Sequence, residues 1–140
     1  MFKINIMQQT TITLNQYNRG FHIITNEIVS QLGNLPEIGI LHLFIKHTSA
    51  GICINENADP TVLEDMNNWF DKNIKEKELY YKHTFEGDDD MPAHIKSVLV
   101  GTQLSIPITN HQINMGTWQG IYLAEFRNSG GNRKIVATVY

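Results

Sequence analysis

Hydrophobic and polar positions alternate along much of this chain, and the period changes where helices are expected. Phe2, Ile4 and Ile6 share one parity, and Ile12 and Leu14 follow after the polar Gln8-Gln9-Thr10-Thr11. This predicts a strand pair or one long bent strand over residues 2–15. A short helix is expected next, with Thr25 as N-cap, Ile28, Val29 and Leu32 facing inward, and Gly33 as C-cap. Pro36 and Gly39 mark a loop before a strand at 40–47, in which Leu41, Leu43, Ile45 and His47 share a face. A second strand, Ile52 to Asn55, follows Thr48-Ser49-Ala50-Gly51.

Asp59-Pro60 is a strong helix start, because Asp accepts from exposed amides and Pro tolerates the first helical position. Val62, Met66, Trp69 and Phe70 then form an apolar stripe, and the helix should last to about Lys77. Pro92 is expected to open another short helix, with His94, Ile95, Val98 and Leu99 on its inner side and Gly101 ending it. The remainder alternates as strands: Leu104, Ile106 and Ile108; Ile121, Leu123 and Glu125; Ile135, Ala137 and Val139. Asn128-Ser129-Gly130-Gly131-Asn132 reads as a hairpin connection. With no repeats and no linker, the pattern predicts one α+β domain over residues 1–140, dominated by antiparallel sheet.

Composition narrows the class. A 140-residue chain with 41% hydrophobic and 18% charged residues is not disordered. One cysteine excludes a disulfide framework and a multi-cysteine zinc site, and Cys53 reads as a small buried hydrophobe. The formal charge of −3 argues against non-specific nucleic-acid binding. No stretch approaches the ~20 apolar residues of a membrane-spanning helix. Met1-Phe2-Lys3-Ile4-Asn5 lacks the cationic start and apolar core of a signal peptide, so a cytoplasmic location is expected.

The charge is unevenly spread. Glu86, Asp88, Asp89 and Asp90 fall within five residues, flanked by His83 and His94. Such a run needs solvent, a cation or basic groups to offset its repulsion. It reads either as an exposed loop whose last acid caps the Pro92 helix, or as a divalent-cation site. Carboxylates alone would favour magnesium, and histidine ligands would shift preference toward zinc.

Three further segments carry candidate chemistry. His47-Thr48-Ser49-Ala50-Gly51 could bind an oxyanion through hydroxyls and free amides, or be an ordinary polar turn. In Asn55-Glu56-Asn57-Ala58-Asp59-Pro60, Asp59 has a capping role, whereas Glu56 and Asn57 have no such structural explanation. In Gly116-Thr117-Trp118-Gln119 and the following strand, Glu125 shares the parity of buried Ile121 and Leu123 and therefore needs a partner. Arg133 is one candidate partner and a histidine another.

Taken together, the blocks HTSAGICINENADPTVLEDM, YYKHTFEGDDDMPAHIKSVLVG, LSIPI and GTWQGIYLAEFRNSGGNRKIV resemble the signature of the YjbQ family over nearly the whole chain. One departure lies in Asn110-His111-Gln112 and Met115, where Asn tolerates a left-handed turn. The resemblance implies a β-sandwich-like α+β subunit with two or three short helices, assembling as a homotrimer with a site near the subunit contacts. It carries His47, Thr48, Ser49, Asn55, Glu56, Asp59, His83, Asp89, His94, Thr117, Trp118, Gln119, Glu125 and Arg133 into that site, with His47, Glu56, Asp59, Asp89 and Glu125 as the catalytic candidates and a structural ion pair the alternative for Glu125.

It also implies a secondary thiamine-phosphate synthase activity, in which a pyrimidine methyl pyrophosphate joins a thiazole phosphate with loss of pyrophosphate. That reaction calls for a cation at the leaving group, donors to phosphate and a dry pocket. Asp89 with Glu56 or Asp59 could hold magnesium, and His83, His94 and Asp89 could hold zinc. Arg133, Lys96, Thr48 and Ser49 could meet phosphate oxygens, and Trp118 could shield the pocket. A non-catalytic trimeric binding protein for a phosphorylated metabolite and a metal-assisted hydrolase are the competing expectations.

Overall fold

Eight strands and three helices account for the alternation in a computed structural model, which describes residues 7–140. The expectation for Phe2, Ile4 and Ile6 lies outside the described residues. The larger sheet has the order β1-β8-β3-β5-β6, with β1 at Gln8–Thr13, β3 at Ile38–Ile45, β5 at Gln103–Thr109, β6 at Gln112–Ile113 and β8 at Lys134–Val139. The smaller has the order β2-β7-β4, from Gly20–Ile23, Gln119–Glu125 and Ala50–Glu56. Every pairing is antiparallel. This is the α+β, sandwich-like arrangement the sequence predicts.

Alternation explains the layers. Leu41, Leu43 and Ile45 of β3, Ile135, Ala137 and Val139 of β8, and Ile121 and Leu123 of β7 meet in one core between the sheets. The opposite face of the small sheet adds Ala124 to a second cluster with Phe21, Phe70, Ala93 and Phe126. Two helices, α2 at Pro60–Asn73 and α3 at Asp90–Val100, cover that face against β2 and β4 respectively. Residues 120–126, including most of β7, are buried because the strand has core on both faces and a paired strand on both edges.

Several expectations change. The first helix, α1, is only Thr25–Val29, with Ser30 rather than Gly33 at its C-cap. Thr25 does not cap it, because the Thr25 hydroxyl accepts from the Ile121 amide at 2.9 Å and so fastens the helix to β7. The strand expected at 40–47 stops at Ile45, leaving His47 beyond its end. The Asp59 cap holds, with its carboxylate accepting from the Thr61 amide at 2.9 Å. The helix ends at Asn73, however, not Lys77, and Trp69 of its stripe is exposed. The 128–132 segment is not a hairpin. It passes from the small sheet to the large one, since β7 already has both its partners. Asn110 and His111 both adopt left-handed backbone, forming the tight turn from β5 to β6 that the sequence allows.

The largest correction concerns α3. It begins at Asp90, two residues before Pro92, and ends at Gly101, whose φ of 100° suits only glycine. Its buried side is Pro92, Ala93, Lys96 and Ser97, whereas Val98 and Leu99 are 82% and 60% exposed. The small side chains allow close approach, and the Ser97 hydroxyl donates to the Ala50 carbonyl at 2.7 Å. Gly51 completes this seam. A Cβ there would lie 2.8 Å from Val100 Cγ1 and 2.9 Å from the Gly101 carbonyl oxygen. Gly51→Ala is therefore expected to lower stability by about 1–3 kcal/mol through overpacking. Urea denaturation checks this, and an unchanged midpoint would mean that α3 is not seated so closely.

Candidate functional site

The acidic run folds onto basic partners because α3 starts inside it. Asp90, in the first turn of that helix, projects the same way as His94 four residues later. Its Oδ2 lies 3.0 Å from His94 Nε2 and 2.6 Å from His83 Nε2, on the segment before the helix. One donor atom from each of His83, Asp90 and His94 falls within 4.8 Å of the other two. Asp90 rather than Asp89 thus stands between the imidazoles. Asp89 turns away, its Oδ2 accepting from Arg127 Nε and the Asn128 amide, each at 2.9 Å.

Arg127 compensates the acids. Besides Asp89, it reaches Asp90 Oδ1 through Nη1 at 2.5 Å and the Glu86 carbonyl through Nη2 at 2.9 Å. Burial acts to raise the Asp90 carboxyl, but the His83 hydrogen bond and the charges of His94 and Arg127 outweigh it and hold the group below the ordinary carboxylate range. Burial likewise opposes ionisation of Asp89, and the Asn128 amide and Arg127 more than offset it. Of the remaining acids, Asp88 is exposed, with Lys77 at 3.6 Å.

His83, Asp90 and His94 together could hold a metal ion. His94 Nδ1 must donate to the Thr48 carbonyl at 2.8 Å, since the carbonyl cannot donate. That orients Nε2 toward Asp90, where either a proton or a metal ion has to lie between two acceptors. Two imidazoles and one carboxylate fit zinc or a similar transition ion better than magnesium. Beside the cluster lies a cavity of about 300 Å³ whose lining includes Lys77, Tyr81, His83, Thr84, Asp88 and Met91.

A second group adjoins the first. Glu125 is 0% exposed, and both its oxygens meet Arg133, Oε1 from Nε at 2.7 Å and Oε2 from Nη2 at 2.6 Å. Arg133 Nη2 also donates to Ser49 Oγ at 3.0 Å, and the Arg127 amide donates to Glu125 Oε2 at 3.2 Å. His47 Nε2 accepts from the Lys134 amide at 2.8 Å, which puts its ring proton on Nδ1. His47, Thr48, Ser49, Glu125, Arg133, His83, Asp89 and His94 therefore gather at one end of the small sheet, joined through Thr48 and Arg127.

The other expected residues lie elsewhere. The register from Ala50↔Glu125 to Glu56↔Gln119 puts six residue steps, roughly 20 Å, between the two ends of the sheet. Asn55, Glu56, Asp59, Thr117, Trp118 and Gln119 occupy the far end. There Asn55 Oδ1 accepts from the Glu56 amide, Gln119 Oε1 accepts from the Gly116 amide, and Trp118 is exposed. Asp89 paired with Glu56 or Asp59 on a single ion is not available within one chain. Lys96 is 1% exposed and donates to Asp71 Oδ1 at 2.7 Å beneath α2, so its ammonium does not face the cluster.

Sequence reasoning missed Asp90 as a candidate ligand and Arg127 altogether. Each had a signal. Asp90 and His94 have one-turn helical spacing once the helix starts at residue 90, and four crowded acids require a basic partner.

Comparison with known proteins agrees with the fold. The family model described as "UPF0047 protein YjbQ-like" matches residues 10–140. The UPF0047 protein YjbQ of Escherichia coli O157:H7 is 49% identical over 133 residues, covering 94% of this chain and 96% of that one. YugU of Bacillus subtilis is 42% identical over 96 residues, 66% of this chain and 70% of that protein. A Clostridium acetobutylicum crystal structure of the yjbq/upf0047 family superposes with a TM-score of 0.74 at 36% identity, covering 96% and 99% of the two chains. The conserved hypothetical protein TT1486 of Thermus thermophilus gives 0.79 at 29%, covering 91% and 97%.

Two tests address the buried network. Glu125→Leu or Arg133→Met alone is expected to cost about 3–5 kcal/mol, whereas the double Glu125→Leu/Arg133→Met should recover much of that loss. Urea titration of the four proteins measures the coupling, and additive losses would contradict it. The second test concerns His47, whose imidazole is held below its usual pKa by burial and by Arg133, with Lys134 and Lys46 adding and Glu125 opposing. A depressed folded-state value means the unfolded chain takes the proton more readily. The His47 contribution is therefore present above about pH 6.5 and lost as pH falls below it. Relative to His47→Gln, the wild type should lose stability between pH 7 and 5. A constant difference would exclude this assignment.

Proposed function

The chain belongs to the YjbQ-like UPF0047 family, and from that premise we propose that it is a divalent-metal-dependent enzyme acting on a phosphorylated small molecule. The observation that carries this reading is the convergence of His83, Asp90 and His94 beside a cavity with His83 in its wall. Once bound, a transition ion there would act as a Lewis acid toward charge on a phosphoryl leaving group. The chain's own groups supply the rest. Lys77, in the cavity wall, offers an ammonium to phosphate oxygens, and Thr84 offers a hydroxyl, whereas the Tyr81 hydroxyl is spent on the Lys75 carbonyl. Arg127 grips Asp90 Oδ1, and the Thr48 carbonyl orients His94.

Thiamine-phosphate synthesis, with pyrophosphate released as the pyrimidine and thiazole fragments join, is the reaction the resemblance favours. Assembly as a homotrimer with the site near subunit contacts belongs to the same reading. It is supported by the apolar side chains of Leu79, Phe85, Val98 and Leu99, exposed on α3 and the segment before it. A cytoplasmic setting is consistent with there being no described helix long and apolar enough to cross a membrane.

Protein purified without chelator should carry a stoichiometric zinc or similar ion. His83→Ala and His94→Ala, at half-exposed positions, should abolish both that ion and pyrophosphate release from the two fragments, with the metal-free melting temperature little changed. Asp90→Asn should also lower that temperature by breaking its buried pair with Arg127. Metal with a ligand-raised melting temperature but no turnover would make the protein a binding module. Release of inorganic phosphate without joining of the fragments would make it a hydrolase. Absence of any stoichiometric ion in the wild type would sink the metal reading.

A further inference from the structure

The two oxygens of Asp90 have different partners. Oδ1 accepts from Arg127 Nη1 at 2.5 Å, and Oδ2 faces both imidazoles. The side chain is 1% exposed, so solvent does not exchange for either contact. Arg127 is itself fixed by the Asp89 carboxylate on Nε and the Glu86 carbonyl on Nη2, while its amide is held by Glu125. A planar guanidinium engaged through Nε, Nη1 and Nη2 has no free rotation with which to release Asp90.

We infer that Arg127 is a positioning residue that confines Asp90 to one-oxygen ligation and so sets the class of cation the site accepts. The inference rests on the metal-site reading above. With Oδ1 committed, this chain offers two imidazole nitrogens and a single carboxylate oxygen. That set suits ions content with four or five ligands, such as zinc or cobalt, leaving positions for water or substrate. Calcium seeks six to eight oxygens and readily takes carboxylates bidentately, and magnesium demands an octahedral oxygen shell. Lysine in place of Arg127 keeps a charge but loses the fork, freeing the carboxylate to turn and present both oxygens.

The test uses cobalt(II), whose visible absorption is intense in four- or five-coordinate sites and weak in octahedral ones, together with calorimetric titration of zinc, magnesium and calcium. Wild-type protein is expected to give the intense spectrum and to prefer zinc strongly. Arg127→Lys and Arg127→Met should weaken zinc binding by about 10–100-fold, dim the cobalt spectrum and narrow the preference over calcium. Asp89→Asn keeps an oxygen to accept from Arg127 Nε and leaves the contact with Asp90 in place, and should change the spectrum little.

A wild-type octahedral cobalt spectrum overturns the inference without any variant. So does either folded Arg127 variant with the wild-type spectrum and selectivity, or an Asp89→Asn protein that matches the Arg127 variants. If the wild type binds neither zinc nor cobalt, the metal reading itself has failed. If it binds both and the Arg127 variants behave as wild type, only the positioning role has.

Discussion

A carboxylate sealed between two β-sheets imposes its requirements on everything around it, and in this protein that carboxylate is Glu125. Arg133, at the mouth of β8, answers it, so the ion pair ties the end of the small sheet to the start of a strand in the large one. The turn between them has to wrap the carboxylate closely. A Cβ on Gly130 would overlap the Glu125 carboxylate, so glycine is required there for space rather than for backbone freedom. The same pair recruits the Ser49 hydroxyl on one side and the Arg127 amide on the other. Because Thr48 and Arg127 are the two contacts that orient His94 and Asp90, the candidate metal ligands are set by a bond network rooted in the core.

The helices add rigidity by an unusual distribution of side chains. The inward side of α3 is small or charged, and Lys96 reaches under α2 to an Asp71 carboxylate that Arg19 also grips, at 2.8 Å. Burial acts to raise the Asp71 carboxyl, yet the two cations keep it below its ordinary range. Two of the three clustered side chains, Asp90 and His94, ride on a helix anchored at both its polar and its small-residue contacts. The third, His83, belongs to the segment between α2 and α3, beside the cavity.

Much of this was legible in the chain. Period-two runs located the core of β3, β5, β7 and β8, because each buries alternate side chains in the main core. The Asp59-Pro60 helix start was readable because capping is a local interaction. Glu125 revealed its need for a partner through parity alone. What could not be read was contact made across the fold. Thr25 looks like a cap but serves β7, and Val98 and Leu99 of α3 look inward yet face out, because packing against Gly51 rewards small side chains over large ones. The 128–132 segment has the composition of a hairpin, and only the saturation of β7 by β2 and β4 forbids one. Asp90 looks like a cap when Pro92 marks the helix start, yet the helix begins two residues earlier.

The position of β8 in the large sheet has a consequence for how the chain is assembled. This strand pairs with β1 on one edge and β3 on the other, with Gln8 opposite Val139. Neither of those earlier strands pairs with the other, so residues 134–139 must emerge from the ribosome before the sheet can close. Arg133 arrives at the same moment, which leaves Glu125 without its cation until then. Closure over so long a loop is slow. During synthesis the nascent chain holds two unpaired strand edges and an unanswered charge, the kind of species on which chaperones act.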